Sequence, residues 1–493
     1  MPAQVAQDTF EIHLESNAFP CDDLRVRSVT GREKMSTLYG FDIEIVQMSA
    51  APGLAAAMAG ASATLVVEHV GHGTRRIPGV IVQVTDLFAS DADLRVLRVR
   101  LVPRMFRLSL VDMQDVLMDL TVPEIIERKM AQVGLRRAHE RRLLEKYPRR
   151  EFVVQYSETD LAFVCRLAEH LGISFFFEEQ DGADRVIFTD HPDGFEGARA
   201  GSGGAAGGME TLQFRARGEA RDVFELSATA TVIPAYYAAR DYNDQLPHID
   251  LTSEYRLRTG HAGGVCEYGS HHRTPEEGAM IARIRGEERQ TGQLVYAGQS
   301  TVIGMRPGAL FRVEGHPEMS TLDLLITEVE HTATQLTAMS GTGAAIGYRN
   351  TFRAIPADRP FRPERVTPRP RIHGLVHGVV DDGRTGVDQI AQIDEQGRYT
   401  VRFLFDLQSQ PERNASLPIR MLQAHVGENY GHHAPLKPGT EVLVGFVHGD
   451  PDRPIIVGAA HNPLSPTPVA RKNATTHRIR TSGGVTIDIV DDP

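Results

Sequence analysis

Short segments that alternate apolar and polar residues fill the first hundred positions. That period of two confines the chain to pleated, half-buried structure. Residues 9–14, 24–30, 41–46, 64–68, 76–85 and 94–103 are short, rich in β-branched side chains and bounded by turn formers. This is the pattern of antiparallel strands that lay one face on a core. Arg98 and Arg100 flanking Val99 show it plainly. Far along the chain Tyr399, Val401, Phe403 and Phe405 alternate in the same way, and 441–447 is apolar on both faces, as a strand in a small barrel is.

The period changes in the middle. Pro123 stands at a helix start, with Ile126 and Met130 four apart on one face. A second helix spans about 159–171, with Leu161, Val164, Leu167, Ala168 and Leu171 as its stripe and Gly172 as its stop. A third covers 274–289, with Met280, Ile281 and Ile284 on its inner side. Strands are expected at 173–178, 213–217, 222–232, 300–303, 310–313 and 324–330. The run 201–208 is a Gly/Ser/Ala low-complexity loop. Residues 354–370 hold five prolines in seventeen positions, which predicts a semi-rigid spacer and a domain boundary.

A length of 493 residues allows about three domains. Lys and Arg number 53 against 64 Asp and Glu, a net charge of −11. Non-specific nucleic-acid binding needs a basic surface, so no nucleic-acid partner is expected. Three cysteines, Cys21, Cys165 and Cys266, form no C-x-x-C pair and build neither a disulfide framework nor a four-cysteine zinc site. The N-terminus has no basic and apolar signal pattern. The uncharged stretch 49–67 is Ala/Gly-rich and too weakly apolar to span a bilayer; a short helix near 54–58 is expected there.

A search for chemistry returns little. His69 and His72 sit among glycines, and His271-His272 and His432-His433 are pairs in Gly/Pro-rich loops. There is no H-E-x-x-H, no G-x-S-x-G elbow and no Walker A motif, and Gly341-x-Gly343 lacks its third glycine. The carboxylate pairs Glu178-Glu179 and Glu276-Glu277 point in diverging directions on a strand and a helix. The expectation is therefore no catalytic residue, no metal and no cofactor.

Two turns and one ribbon are more informative. Ile393-Asp-Glu-Gln-Gly-Arg is a turn built on Asp394 and Gly397. His448-Gly-Asp-Pro-Asp-Arg-Pro is a tight turn. Asp450 suits its first position and Pro451 its second, with Gly449, Asp452, Arg453 and Pro454 completing the motif. About five strands in some ninety residues suit an OB-like barrel. At the end of the sequence Gly483-Gly484 predicts a two-residue hairpin, with Val485, Ile487 and Ile489 on one face and Ile479 on the facing strand. A lone two-stranded ribbon is marginal in water unless its apolar face is covered. Either it folds back on its own barrel, or neighbouring copies cover it.

Ordered segments of the chain resemble one family. They are 29–41 (Val-Thr-Gly-Arg-Glu-Lys-Met-Ser-Thr-Leu-Tyr-Gly-Phe), 155–178, 325–331 and 348–356, then 393–403 and 439–458 around the two turns. The chain resembles VgrG, the valine–glycine repeat protein G family of type VI secretion spikes, related to the hub and spike of contractile phage tails. Phe405-Asp406 stands where that family often has Trp. The resemblance implies a mainly β homotrimer: phage-hub-like β-barrels with an α+β insertion, an OB-like barrel and the start of a triple-stranded β-helix. On it, 1–110 is a first hub barrel region, 111–200 the α+β insertion, and 201–353 a second hub barrel region with a helix. Residues 354–370 are the linker, 371–463 the OB-like domain and 464–493 the first part of the spike. The implied partners are a hexameric inner-tube protein, baseplate components, a tip protein with a proline–alanine–alanine–arginine signature, and effectors. Assembly in the bacterial cytoplasm followed by delivery outward is implied as well. Alternatives are a phage or extracellular-particle hub, an envelope-degrading enzyme on the same hub, or a glycan-binding OB module that stacks sugars on Phe403, Phe405 or Tyr430.

Overall fold

A computed structural model describes residues 10–48, 53–70, 72–87, 95–197, 209–215, 223–335, 347–381, 393–407 and 415–491. The low-complexity run 201–208 and the Gly341-x-Gly343 stretch lie outside the described residues.

The alternating segments form one large antiparallel ladder. Its order is Phe10–Glu15, Ser62–His69, Gly73–Leu87, Arg95–Val102, Gly40–Gln47 and Leu24–Lys34, then Leu322–Thr334, Gly347–Pro356, Leu294–Ser300 and Val223–Ala230. The first six wrap one core, in which Ile43, Ile45, Leu65, Ile81, Leu97, Val99 and Leu101 are fully buried. The last four, with Ala309–Glu314, wrap a second around Phe311, Val329 and Ala354. The halves join where Leu24–Lys34 pairs with Leu322–Thr334, from Ser28 opposite Thr334 to Lys34 opposite Glu328. The same long strand pairs Ala309–Glu314 through Leu322 to Leu325, so one strand serves both halves.

A buried polar cluster seals the join. The Glu33 carboxylate accepts from Arg75 and lies 2.8 Å from His331 Nε2, while His331 Nδ1 is 2.6 Å from the Tyr348 hydroxyl. Arg75 also donates to the carbonyls of Ile303 and Met305, and Asn350 to that of Val302. Burial pushes the Glu33 carboxyl up, but Arg75 and His331 outweigh it and hold it at about 2. Burial and the Arg75 charge keep His331 below its ordinary range, against the pull of Glu33.

The helices start and stop where side chains satisfy their ends. Thr121 and Glu124 cap each other's backbone N–H at the start of Val122–Gln132. Thr274 accepts from the Glu277 N–H at the start of Pro275–Thr291. Asp160–His170 stops at Gly172, which takes the left-handed conformation with φ 66°. Ile281 and Ile284 are buried as expected, but Met280 is only half-buried, one step off the stripe. The expected strand at 300–303 is instead a turn after Leu294–Ser300, where the Ser300 hydroxyl accepts from Val302 N–H. The strand expected at 213–217 lies earlier, at Glu210–Gln213. Leu54–Met58 is a short helix, and no described helix is long and apolar enough to cross a membrane.

The chain divides into two compact units. The first is Met1–Val111, Ile126–Lys146 and Asp160–Pro368; the second is Asp112–Ile125, Tyr147–Thr159 and Arg369–Pro493. The proline-rich stretch is more than a spacer. Arg362 is buried and donates to Glu287 and to the carbonyls of Gly172 and Asp190, and Glu169 accepts from Val366 N, Thr367 N and the Thr367 hydroxyl. Proline stiffness alone predicts a free extended segment; these contacts pin it.

In the second unit, Val401–Phe403, Val376–Val380, Glu441–Phe446 and Pro454–Ala459 form a sheet in that order. Residues 419–422 close it. Tyr399 N donates to the Ile419 carbonyl at 2.9 Å on one side, and Leu422 N to the Ile456 carbonyl at 2.8 Å on the other. Val380, Tyr399, Val401, Phe403, Ile419, Val442, Val444 and Ile456 fill the interior. Gly378 lies inside this curve because a Cβ there would sit 2.4 Å from Val401. Val116, Phe152 and Val154 complete the same core. Val116 and Val154 come from the paired strands Asp112–Leu117 and Val153–Thr159, and Phe152 immediately precedes the second; local reading groups all three with the rest of 111–200.

Candidate functional site: barrel turns and terminal ribbon

The Asp394 turn is held by its own carboxylate. Oδ1 accepts from Gln396 N and Arg398 N at 2.9 Å each, Oδ2 accepts from Arg398 Nε at 2.6 Å, and Gly397 supplies φ 73°. Burial raises the Asp394 carboxyl, but these donors more than offset it and its pKa is lowered.

The second turn ties three pieces of the second unit together. Asp450 accepts at its carbonyl from Arg453 N and at Oδ1 from Asp452 N, as the first position of a turn should, with Pro451 next. His448 and Gly449 precede it with φ 57° and 72°, two left-handed residues in succession that reverse the chain. Arg369 reaches Asp450 Oδ2 at 3.3 Å, and Ile372 N donates to the Gly449 carbonyl. Asp452 accepts from Val154 N at 2.7 Å, so the turn also anchors the strand that lies nearly three hundred residues earlier. Pro454 then opens the last barrel strand. No local signal marks the Asp452–Val154 bond or the Arg369 contact; both partners are set by the tertiary fold.

The terminal ribbon pairs Thr476–Arg480 with Thr486–Val490, Ile479 opposite Ile487 and His477 opposite Ile489. Arg478 grips Asp488 in two 2.7 Å bonds on the other face, leaving Ile479, Val485, Ile487 and Ile489 as the apolar side. The connection is longer than the expected two residues. Thr481 N bonds the Val485 carbonyl and Gly484 N the Thr481 carbonyl, so Ser482, Gly483 and Gly484 form a three-residue loop with Gly484 at φ 93°. The four apolar side chains are 57% to 65% exposed. Folding back on its own barrel is therefore not what this ribbon does, and its apolar face stands uncovered in the single chain.

The histidine-rich loops have structural employment. His69 is buried and stacks on Phe10 at 4.2 Å, and His72 N closes a turn on its carbonyl. His272 is buried against the Leu251 carbonyl, and His433 bridges the Tyr399 hydroxyl and Gln423. A sugar-stacking platform is not assembled either. Phe403 is 1% exposed inside the barrel and Phe405 packs edge-on against Tyr156. Tyr430, on a separate small hairpin, is exposed.

Two family models match in order along the chain: the phage tail baseplate hub (GPD) over residues 32–337, and the type VI secretion system/phage-baseplate injector OB domain over 386–461. Among curated relatives, the type VI secretion system spike protein VgrG5 of Pseudomonas aeruginosa is 29% identical over 486 residues, covering 94% of this chain and 58% of that protein. VgrG1c of the same organism is 27% identical over 466 residues, covering 94% and 63%. The chain thus spans about three fifths of the length of these relatives. A solved structure of the E. coli c3393 protein matches with a TM-score of 0.66 and 26% identity, over 91% of this chain and 99% of that one. That protein is described as a component of the type VI secretion system similar in structure to the T4 tail proteins gp27 and gp5. Most of the joined pair of β-halves falls in the first match and most of the closed small barrel in the second, and with the hub model covering more than half its length the chain belongs to the phage tail baseplate hub (GPD) family.

Proposed function

We propose that three copies of this chain form the hub and spike of a contractile injection apparatus of the type VI secretion kind. The paired β-halves make the hub that meets a hexameric inner tube and baseplate components. The small barrel leads into intertwined ribbons that begin the spike, on which a tip protein and effectors ride into the target envelope. The six-part division given above, from the hub barrel at 1–110 to the spike at 464–493, goes with this reading, except that 112–125 and 147–159 of the 111–200 insertion group with the OB-like domain. The work is mechanical rather than enzymatic: a contracting sheath drives the spike, which must stay folded under axial load. Strand pairing between copies suits that demand, because many backbone bonds must break together. Assembly takes place in the bacterial cytoplasm, before outward delivery.

The uncovered apolar face of the ribbon carries this reading, since three such faces can bury one another around an axis. A phage-tail hub shares the architecture, and the matching family models name both settings; the type VI relatives favour secretion. Deleting the gene in its host and following the inner-tube protein in the medium tests the proposal. Tube release that stops, and returns with the wild-type gene but not with one lacking 475–493, is expected. Unchanged release overturns it.

A further inference from the structure

Arginine gathers where the helix Val122–Gln132 ends, in a chain whose net charge is −11. Residues 128–146 hold seven Lys and Arg against two Glu. Gly134 stops the helix in the left-handed conformation at φ 78°, and Arg136 and Arg137 follow at once. Arg107, from the turn Arg104–Leu110, reaches the same place: a Cβ on Gly134 would lie 3.9 Å from its Nη1. Chain length alone keeps the backbone of Arg128, Arg136 and Arg137 within about 13 Å of Gly134. All four arginines are exposed, and none makes an ion pair or hydrogen bond among the described residues. Elsewhere in the same unit exposed arginines do pair, Arg98 with Glu44 at 2.7 Å and Arg100 with Asp42 at 2.8 Å. The acidic neighbours of the cluster are taken, Glu127 by Arg141 at 3.4 Å and Glu140 by Arg142 at 2.8 Å. The helix end does not call for it either, since the Ala131 and Met130 carbonyls accept from Gly134 N at 3.1 Å and Leu135 N at 2.8 Å.

Guanidinium groups gathered without counter-charge repel one another, and a bound anion relieves that repulsion. Arginine also offers a planar fork that matches a carboxylate in two bonds. One apolar contact stands beside the charges. Leu110 is 71% exposed and lies three residues past Arg107, and side chains three apart share one side of a 3-10 turn. We propose that this patch docks an acidic segment of a different polypeptide. Its Asp or Glu side chains pair with Arg107, Arg128, Arg136 and Arg137, and an apolar side chain covers Leu110. Leu110 selects protein over nucleic acid as the occupant, because a phosphate backbone brings no aliphatic partner and none of the five residues is an aromatic on which bases stack. A single chain carries the whole patch, so the inference does not depend on the multi-copy reading.

The test is fluorescence anisotropy on the full chain, with a labelled peptide repeating Glu-Glu-Leu as the probe and its Gln-Gln-Leu counterpart as the neutral comparison. Saturable binding of the acidic peptide alone is expected, weakening as salt rises from about 0.05 to 0.5 M. Arg136→Glu with Arg137→Glu should weaken it about tenfold, and Leu110→Ser about threefold. Arg258→Glu with Arg289→Glu makes the same charge change at exposed, unpaired positions of the same unit and should leave binding within about twofold of wild type. An acidic peptide that does not bind, or that binds the Arg136/Arg137 variant as tightly as wild type, overturns the proposal and leaves the multi-copy reading standing. So does an oligothymidylate or a phosphatidylserine vesicle that binds through the same arginines more tightly than the peptide. Should the reversed charges disturb folding, Arg136→Gln with Arg137→Gln decides by the same readout, weaker binding supporting the patch and unchanged binding refuting it.

Discussion

Replacing Glu33 by Gln probes the join between the two halves of the hub sheet. The substitution keeps the shape of the side chain but leaves the Arg75 guanidinium, itself 11% exposed, without its counter-charge. Removing one partner of a buried ion pair costs about 3–5 kcal/mol. The depressed Glu33 pKa leads to a comparable figure. A carboxyl held at about 2 instead of 4.5 contributes about 3 kcal/mol once both folded and unfolded forms are ionised. The sign follows from the depressed pKa: this stability is present above pH 4.5 and is lost as the pH falls towards 2. His331, also depressed from 6.5, acts in the same direction, because its neutral folded form is penalised as the unfolded chain takes up protons below 6.5. Guanidinium unfolding of the full chain, followed by tyrosine fluorescence since the chain has no Trp, resolves the hub transition. At pH 7 Glu33→Gln should lower its stability by about 3 kcal/mol, and the gap between variant and wild type should close as the pH is taken from 5 to 2. A variant within about 0.5 kcal/mol of wild type at pH 7, or a gap that does not narrow in acid, refutes the argument.

Asp452→Ala should weaken the barrel unit by about 1–2 kcal/mol by stranding the Val154 N–H, with faster hydrogen exchange at that amide; exchange at the wild-type rate contradicts the anchor. Gly397→Val forces a β-branched residue to φ 73° and should cost the barrel about 1–3 kcal/mol in a thermal or denaturant melt, with Gly397→Asn costing less. Ile487→Asp with Ile489→Asp should weaken assembly, read by solution mass, while leaving the melts of the hub and the barrel unchanged.

Local chemistry made much of this fold legible. The strands of the hub follow from alternation, Gly172 and Thr274 mark helix ends by backbone geometry and capping, and Asp394 and Asp450 define their turns because a short carboxylate reaches the next N–H groups. What stayed hidden depends on distance along the chain. The pairing of Ser28 with Thr334 and the bond from Asp452 to Val154 leave no mark in either segment alone. Strands 112–117 and 153–159 carry no local mark of the unit they join, and only the shared core with Phe403 assigns them to the barrel. The proline run reads as a spacer because composition reports stiffness, whereas Arg362 and Glu169 decide what it touches. The ribbon was legible in its apolar face and misread in its loop, since Gly-Gly also serves a three-residue connection when Thr481 closes it.

The solution mass of the intact chain, repeated on a chain ending before residue 475, tests the central claim most directly. The account predicts about three times 54.3 kDa for the intact protein and weaker association for the shortened one. A mass of one chain at every concentration would contradict it.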